Sequence, residues 1–150
     1  MRNTRLIAVL FADKPYSLAW VDTLADAGFA STMLYTARKT GKTQRDWRSA
    51  GELDDFITQA RIRGLLTGLA GSLRREDVSP LLACAPDYLG FRGALCRNGA
   101  RGQTLDEDAF AVIRGSILQS TIIINAPRRS SRSTERVSGL IPVHATTCAA

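Results

Sequence analysis

GLLTGLAGSLR (residues 64–74) and DYLGFRGALC (residues 87–96) decide how this chain folds. Each reads as a short apolar strand that runs into a loop of small residues. Gly71 and Ser72 form the first loop, and Gly93 and Ala94 the second. Glycine and alanine add little bulk, so the backbone N–H groups of such loops can approach an anion closely. Between the two segments, Glu76 and Asp77 put negative charge in a first helical turn, where Pro80 is also tolerated. Two strand-to-loop joints in succession, with a helix between them, are what a phosphate site at the end of parallel α/β structure requires.

The same alternation continues upstream. Arg5–Ala12 is a continuous apolar run ending at Asp13, the pattern of a strand buried on both faces. A helix is predicted over Ser17–Ala27, with Leu18, Val21, Leu24 and Ala25 on one stripe and Gly28 as its stop. Phe29–Tyr35 is the next strand, followed by a polar loop, Thr36–Arg48. Ser49 and Glu52 then form an S-x-x-E capping pattern, and Leu53, Phe56, Ile57 and Ala60 share one helical face that ends at Gly64. Leu65–Ala70 and Tyr88–Phe91 are the third and fourth strands. Arg92–Gln103 is a loop. Thr104 and Glu107 repeat the capping pattern before a stripe of Phe110, Ile113 and Ile117.

The chain therefore reads as α/β, with four βα units in residues 1–119. Repeated βα units require parallel strands with right-handed crossovers. Their spacing fits a (βα)8 barrel, of which four units are half. A lone half leaves free strand edges and an uncovered apolar face, so it needs a partner half, a second copy or an open sheet. Residues 120–150 are expected to form an irregular tail. Ser120–Ala126 is β-prone, and Pro127–Ala150 is rich in Ser, Thr and Arg without periodicity.

Composition narrows the function. At 150 residues, with 45% hydrophobic and 23% charged residues, the chain is an ordinary single domain. The net charge of +6 is concentrated in the tail and otherwise scattered, with no aromatics interleaved in a basic run, which argues against nucleic acid. No run reaches membrane-spanning length. Cys84, Cys96 and Cys148 lack any C-x-x-C spacing, and the expected compartment is the reducing cytoplasm. The single histidine, His144, leaves no material for a histidine metal site or a Ser-His-Asp triad.

G-L-A-G-S-L-R-x-E-D and P-D-Y-L-G-F-R-G-A-L-C are long, ordered motifs, and through them the chain resembles the (5-formylfuran-3-yl)methyl phosphate synthases. A weaker likeness runs from about residue 5 to about Ile117. The resemblance implies a TIM-type barrel that condenses two molecules of glyceraldehyde 3-phosphate into a phosphorylated furan aldehyde. It implies a lyase with no metal or organic cofactor, whose product feeds methanofuran-type carriers. It also implies that this chain covers strands five to eight, while the Schiff-base lysine and a second catalytic lysine belong to the other half. Tyr35-Thr36-Ala37-Arg38-Lys39 falls where the family reads Asp-Thr-x-x-x-Lys or a close variant. Lys39 thus matches a catalytic lysine, whereas Tyr35 replaces the aspartate, and a phenol supplies no carboxylate at neutral pH.

Each candidate has a plainer reading. Lys39 stands among Arg38, Lys42 and Arg45, and could belong to a solvated charge run. Gly71 and Ser72 could simply turn the chain, although Gly93 and Ala94 repeat the device at the adjacent joint. Arg92 suits either bidentate phosphate binding or the rim. Arg74 reads as a surface charge. Cys84 and Cys96 read as small core or rim residues. Asp13 ends a strand, where either function or helix capping would place it.

Overall fold

The computed structural model describes residues 4–38 and 40–125, over which strand and helix alternate. In order these are β1 (Ile7–Phe11), α1 (Ala19–Asp26), β2 (Ser31–Tyr35), α2 (Gln44–Trp47) and α3 (Ala50–Ile62). There follow β3 (Leu66–Ala70), α4 (Val78–Ala83), β4 (Tyr88–Gly90) and α5 (Glu107–Asn125). All four strands are parallel and lie in the order β1-β2-β3-β4. Each crossover moves one place along the sheet. Right-handed steps in one direction return every connecting helix to the same face.

The register explains the core. Leu10, Leu34, Leu69 and Leu89 are successive partners across the four strands. All four face the helices, where they meet Val21 of α1, Leu53, Phe56, Ile57 and Ala60 of α3, and Leu81 of α4. The α3 stripe is the one its i, i+3, i+4, i+7 spacing dictates. Its start is held by the expected capping box: Glu52 N–H donates to Ser49 Oγ at 3.2 Å, and Ser49 N–H to Glu52 Oε2 at 2.8 Å. Gly28 and Gly64, both at positive φ, end α1 and α3 as their positions predicted.

The other face of the sheet is open, which corrects the reading of β1 as buried on both sides. Ile7 is 53% exposed, Val9 46% and Phe11 36%, alternating with half-buried Ala8 and Leu10. A parallel strand is dry on both faces only when both carry a covering layer, and among the described residues no helix covers this one. On that open face the Tyr88 ring lies across Gly68, and its hydroxyl shares a 2.7 Å hydrogen bond with Ser31 Oγ. A Cβ on Gly68 would sit 2.0 Å from the ring. Gly68→Ala should therefore swing Tyr88 out and lower stability by about 1–2 kcal/mol in urea unfolding.

Four further expectations are corrected. The Thr36–Arg48 loop contains α2, started by a capping box in which Thr43 N–H donates to Asp46 Oδ2 at 2.7 Å. The cap of α5 is Asp106, whose Oδ1 accepts from the N–H groups of Asp108 and Ala109 at 3.1 Å. Thr104 is instead tied into a local turn, its carbonyl accepting from Arg97 N–H. Phe110 is 57% exposed, because it lies beside the edge of β4, which no fifth strand covers among the described residues, while Ile113 is buried. Finally, residues 120–125 belong to α5 and are neither strand nor irregular tail. Their apolar run follows Phe110 and Ile113 within one helix, and helical continuity prevails over β-propensity. The expectations for Pro127–Ala150, including His144 and Cys148, lie outside the described residues.

Candidate functional site

The loops after β3 and β4 leave the sheet at its C-terminal rim, and each is shaped by a glycine. Gly71 adopts φ +103°, and a Cβ there would lie 2.4 Å from both the N and Oγ1 of Thr36. The β3 loop therefore rests directly on the β2 loop, and only glycine permits that contact. Ser72 follows at φ +54°, and Arg74 N–H then donates to Asp77 Oδ2 at 2.9 Å. After β4, residues Gly93–Leu95 form a single 3-10 turn in which Leu95 N–H donates to the carbonyl of Arg92. A Cβ on Gly93 would stand 3.3 Å from the Gly99 carbonyl and 3.7 Å from Arg101 Cγ, so this loop folds back against the next one.

These segments meet around one cleft of about 430 Å³. Ser72, Leu73 and Arg74 line it from the β3 loop, and Gly93 and Ala94 from the β4 loop. Gly41, Gly99 and Arg101 complete its wall. The backbone N–H groups of Ser72, Leu73, Gly93 and Ala94 donate to no acceptor among the described residues. Backbone donors and two guanidinium-bearing residues, with no carboxylate among the lining side chains, make an environment suited to an anion.

Three of the expected residues, Ser72, Gly93 and Ala94, thus share the cleft. Gly71 does not line it but supports it from behind. Arg92 is exposed and outside the lining. Lys39 lies outside the described residues. Sequence reading missed Arg101 and treated Arg74 as a surface charge. Arg74 Nη2 in fact donates to the Gly41 carbonyl at 2.6 Å, joining the β2 and β3 loops. Arg101 sits in a stretch without periodicity, and only chain closure around Gly93 brings it to the rim.

Asp13 proves to be a loop clamp rather than a helix cap. The N–H groups of Ala37 and Arg38 donate to its two carboxylate oxygens, each at 2.8 Å, tying the β1 end to the segment that leads to Lys39. Burial raises the Asp13 pKa, but those N–H groups and the Arg38 charge outweigh it, leaving the carboxyl below its ordinary value. A depressed folded-state pKa contributes stability that is complete above the unfolded carboxylate value and lost as pH falls through the folded one. Asp13→Asn should therefore be less stable than the parent at neutral pH. The gap should close as the solution is acidified below the usual carboxylate range, a trend thermal melts across pH would show. Arg48 braces the same joint, with Nε and Nη2 donating to the carbonyls of Ala12 and Lys14 at 2.8 Å.

Cys84 and Cys96 are both buried and free, and burial followed by the charge of Asp54 pushes the Cys84 thiol up. An inert core thiol is the consequence. Among the described residues, no helix is long and apolar enough to cross a membrane.

Sequential parallel strands with helices packed on one face give an α/β fold like that of TIM-barrel proteins. Phosphoribosyl anthranilate isomerase from Thermus thermophilus superposes with a TM-score of 0.57 at 18% identity, covering 79% of this chain and 52% of that one. The chain belongs to the 4-HFC-P synthase family, whose profile matches residues 1–114. The (5-formylfuran-3-yl)methyl phosphate synthase of Methanothermobacter thermautotrophicus is 44% identical over 77 residues, 51% of this chain and 33% of that protein. The Methanocaldococcus jannaschii synthase is 37% identical over 105 residues, 66% of this chain and 44% of that protein. A Methylorubrum extorquens protein provisionally named for the same activity is 44% identical over 102 residues, 68% of this chain and 43% of that protein. The chain thus spans less than half the length of these relatives.

Proposed function

We propose that this chain carries the phosphate-binding half of a (5-formylfuran-3-yl)methyl phosphate synthase, equivalent to units five to eight of a (βα)8 barrel. The reaction joins two molecules of glyceraldehyde 3-phosphate. Their atoms balance to one phosphorylated furan aldehyde, one inorganic phosphate and two waters. A site for that chemistry must hold a phosphate while carbon–carbon bond formation and dehydration proceed. The observation that carries the reading is the convergence of the β3 and β4 loops, with their undirected N–H groups, on one cleft.

The remaining parts are apportioned by chemistry. Carbon–carbon bond formation between triose phosphates suits a lysine Schiff base, whose iminium withdraws electrons from the attacking carbon. That lysine and its catalytic partner would come from the complementary βα units. The same units would cover Ile7, Val9 and Phe11 on the open face. Lys39 would neutralise substrate charge or polarise a carbonyl. No metal or organic cofactor enters this scheme, and the substrate is a triose phosphate handled in the cytoplasm.

Tyr35 favours a second reading. Where the family has an aspartate this chain has a phenol, which suits a fragment that binds phosphorylated ligands without turning them over. One assay separates the two. The purified chain is incubated with glyceraldehyde 3-phosphate, alone and with a polypeptide carrying the complementary four units, while furan absorbance is followed. Turnover only in the mixture supports the synthase reading. Its absence in both, with phosphate binding retained, leaves the binding fragment.

A further inference from the structure

We propose that Arg101 sets the selectivity of the cleft for a phosphate monoester over a carboxylate, and that the Tyr35 hydroxyl positions its guanidinium. The proposal deepens the reading of the cleft as a phosphate site and rests on it. Arg74 and Arg101 are the two ionisable side chains in the lining, and they are not equivalent. Arg74 is committed: Nη2 donates to the Gly41 carbonyl at 2.6 Å, and Nη1 lies 3.8 Å from the Glu76 carboxylate. Arg101 pairs with no carboxylate among the described residues. Its Nη2 lies 3.4 Å from the hydroxyl of Tyr35, at the C-terminal end of β2. A neutral phenol can orient a guanidinium without cancelling its charge.

That distinction matters at this position. An aspartate here would place a carboxylate where Arg101 now meets a phenol. The phenol leaves the cation free to answer an anion in the cleft. The stem of Arg101 runs beside Gly93, where a Cβ would stand 3.7 Å from its Cγ. Arg101 thus crosses the β4 loop beside Gly93 and Ala94, whose N–H groups have no acceptor among the described residues.

The fork of a guanidinium takes two oxygens of a planar or tetrahedral anion side by side. A phosphate monoester has a third terminal oxygen left for backbone N–H donors, whereas a carboxylate has none. Arg101 and the two loops together therefore suit three terminal oxygens. Binding should also strengthen as a phosphate monoester passes from monoanion to dianion, at about pH 6, because the added charge strengthens its bonds to the guanidinium and backbone donors.

Calorimetric titration of the full 150-residue chain with glycerol 3-phosphate, inorganic phosphate and glycerate tests this. The parent should bind both phosphates and discriminate against glycerate. Arg101→Met should weaken glycerol 3-phosphate by roughly 10- to 100-fold and remove that discrimination, and Arg101→Lys should recover only part of the loss. Tyr35→Phe should weaken binding by roughly 3- to 10-fold, and by nothing further in the Arg101→Met background. That missing increment is a result a merely structural tyrosine would not produce. Phosphate affinity unchanged in Arg101→Met but lost in Gly93→Val overturns the role of Arg101 while leaving the cleft intact. Additive effects of the two substitutions overturn the role of Tyr35. A parent chain that binds neither phosphate removes the cleft reading and this proposal with it.

Discussion

Replacing Gly71 with alanine is expected to lower the stability of the chain by about 3 kcal/mol or more and to abolish measurable phosphate binding. Two independent costs add at this residue. The backbone sits at φ +103°, a conformation that L side chains rarely adopt. The new methyl would also stand 2.4 Å from Thr36 N, a backbone atom that cannot rotate aside. Relief requires the β3 loop to lift off the β2 loop, carrying Ser72 and Leu73 away from Gly93 and Ala94. Against a total stability of about 5–15 kcal/mol, much of the variant would still fold. Urea unfolding would read the first effect and phosphate calorimetry the second. Full stability with lost binding would mean that the loop moves without strain.

Gln44→Ala should be nearly as damaging, at about 3–4 kcal/mol, through a different cause. Gln44 is fully buried in α2 beneath the rim, and its amide nitrogen donates to the carbonyls of Leu34 and, at 2.5 Å, Ala70. Those carbonyls lie near the ends of β2 and β3, just before Tyr35 and Gly71. One side chain therefore fastens together the two strands whose loops meet at the cleft. Alanine would remove the donor from both buried acceptors and leave a void. A Gln44→Glu variant tests the donor role with volume kept: it should be destabilised at neutral pH, since a carboxylate cannot donate.

The sequence carried the regular parts of this fold because they depend on local pattern. The Ser49–Glu52 box and the Leu53, Phe56, Ile57, Ala60 stripe specify α3 almost completely, and Gly28 and Gly64 mark helix ends. The apolar runs located all four strands. What could not be read were features set by partners distant in the chain. Arg5–Ala12 has the composition of a doubly buried strand, yet five of its eight residues are exposed. Its second covering layer is not among the described residues. Phe110 follows the helical period, but the face it occupies borders a free sheet edge.

The candidate site divides along the same line. Gly71, Ser72, Gly93 and Ala94 were legible because small residues after an apolar strand have a direct mechanical meaning. Arg101 carried no such mark, since an arginine in an irregular loop is usually a solvated charge. Its role emerges only when Gly93 and Tyr35 are seen beside it. Asp13 was visible as a polar residue at a strand end, but its partners, Ala37 and Arg38, belong to the next βα unit. Sequential parallel order makes such neighbours spatially adjacent, so each rim loop is built partly by the unit before it.

Whether the β3 and β4 loops serve a single anion is tested most directly by titrating the 15N-labelled chain with inorganic phosphate and following its backbone amides. The account predicts that Ser72, Leu73, Gly93 and Ala94 shift together along one binding curve, and that Gly93→Val abolishes the shifts at Ser72 as well as at Ala94. Shifts at one loop alone, two curves with different midpoints, or movement confined to residues away from the cleft would contradict it.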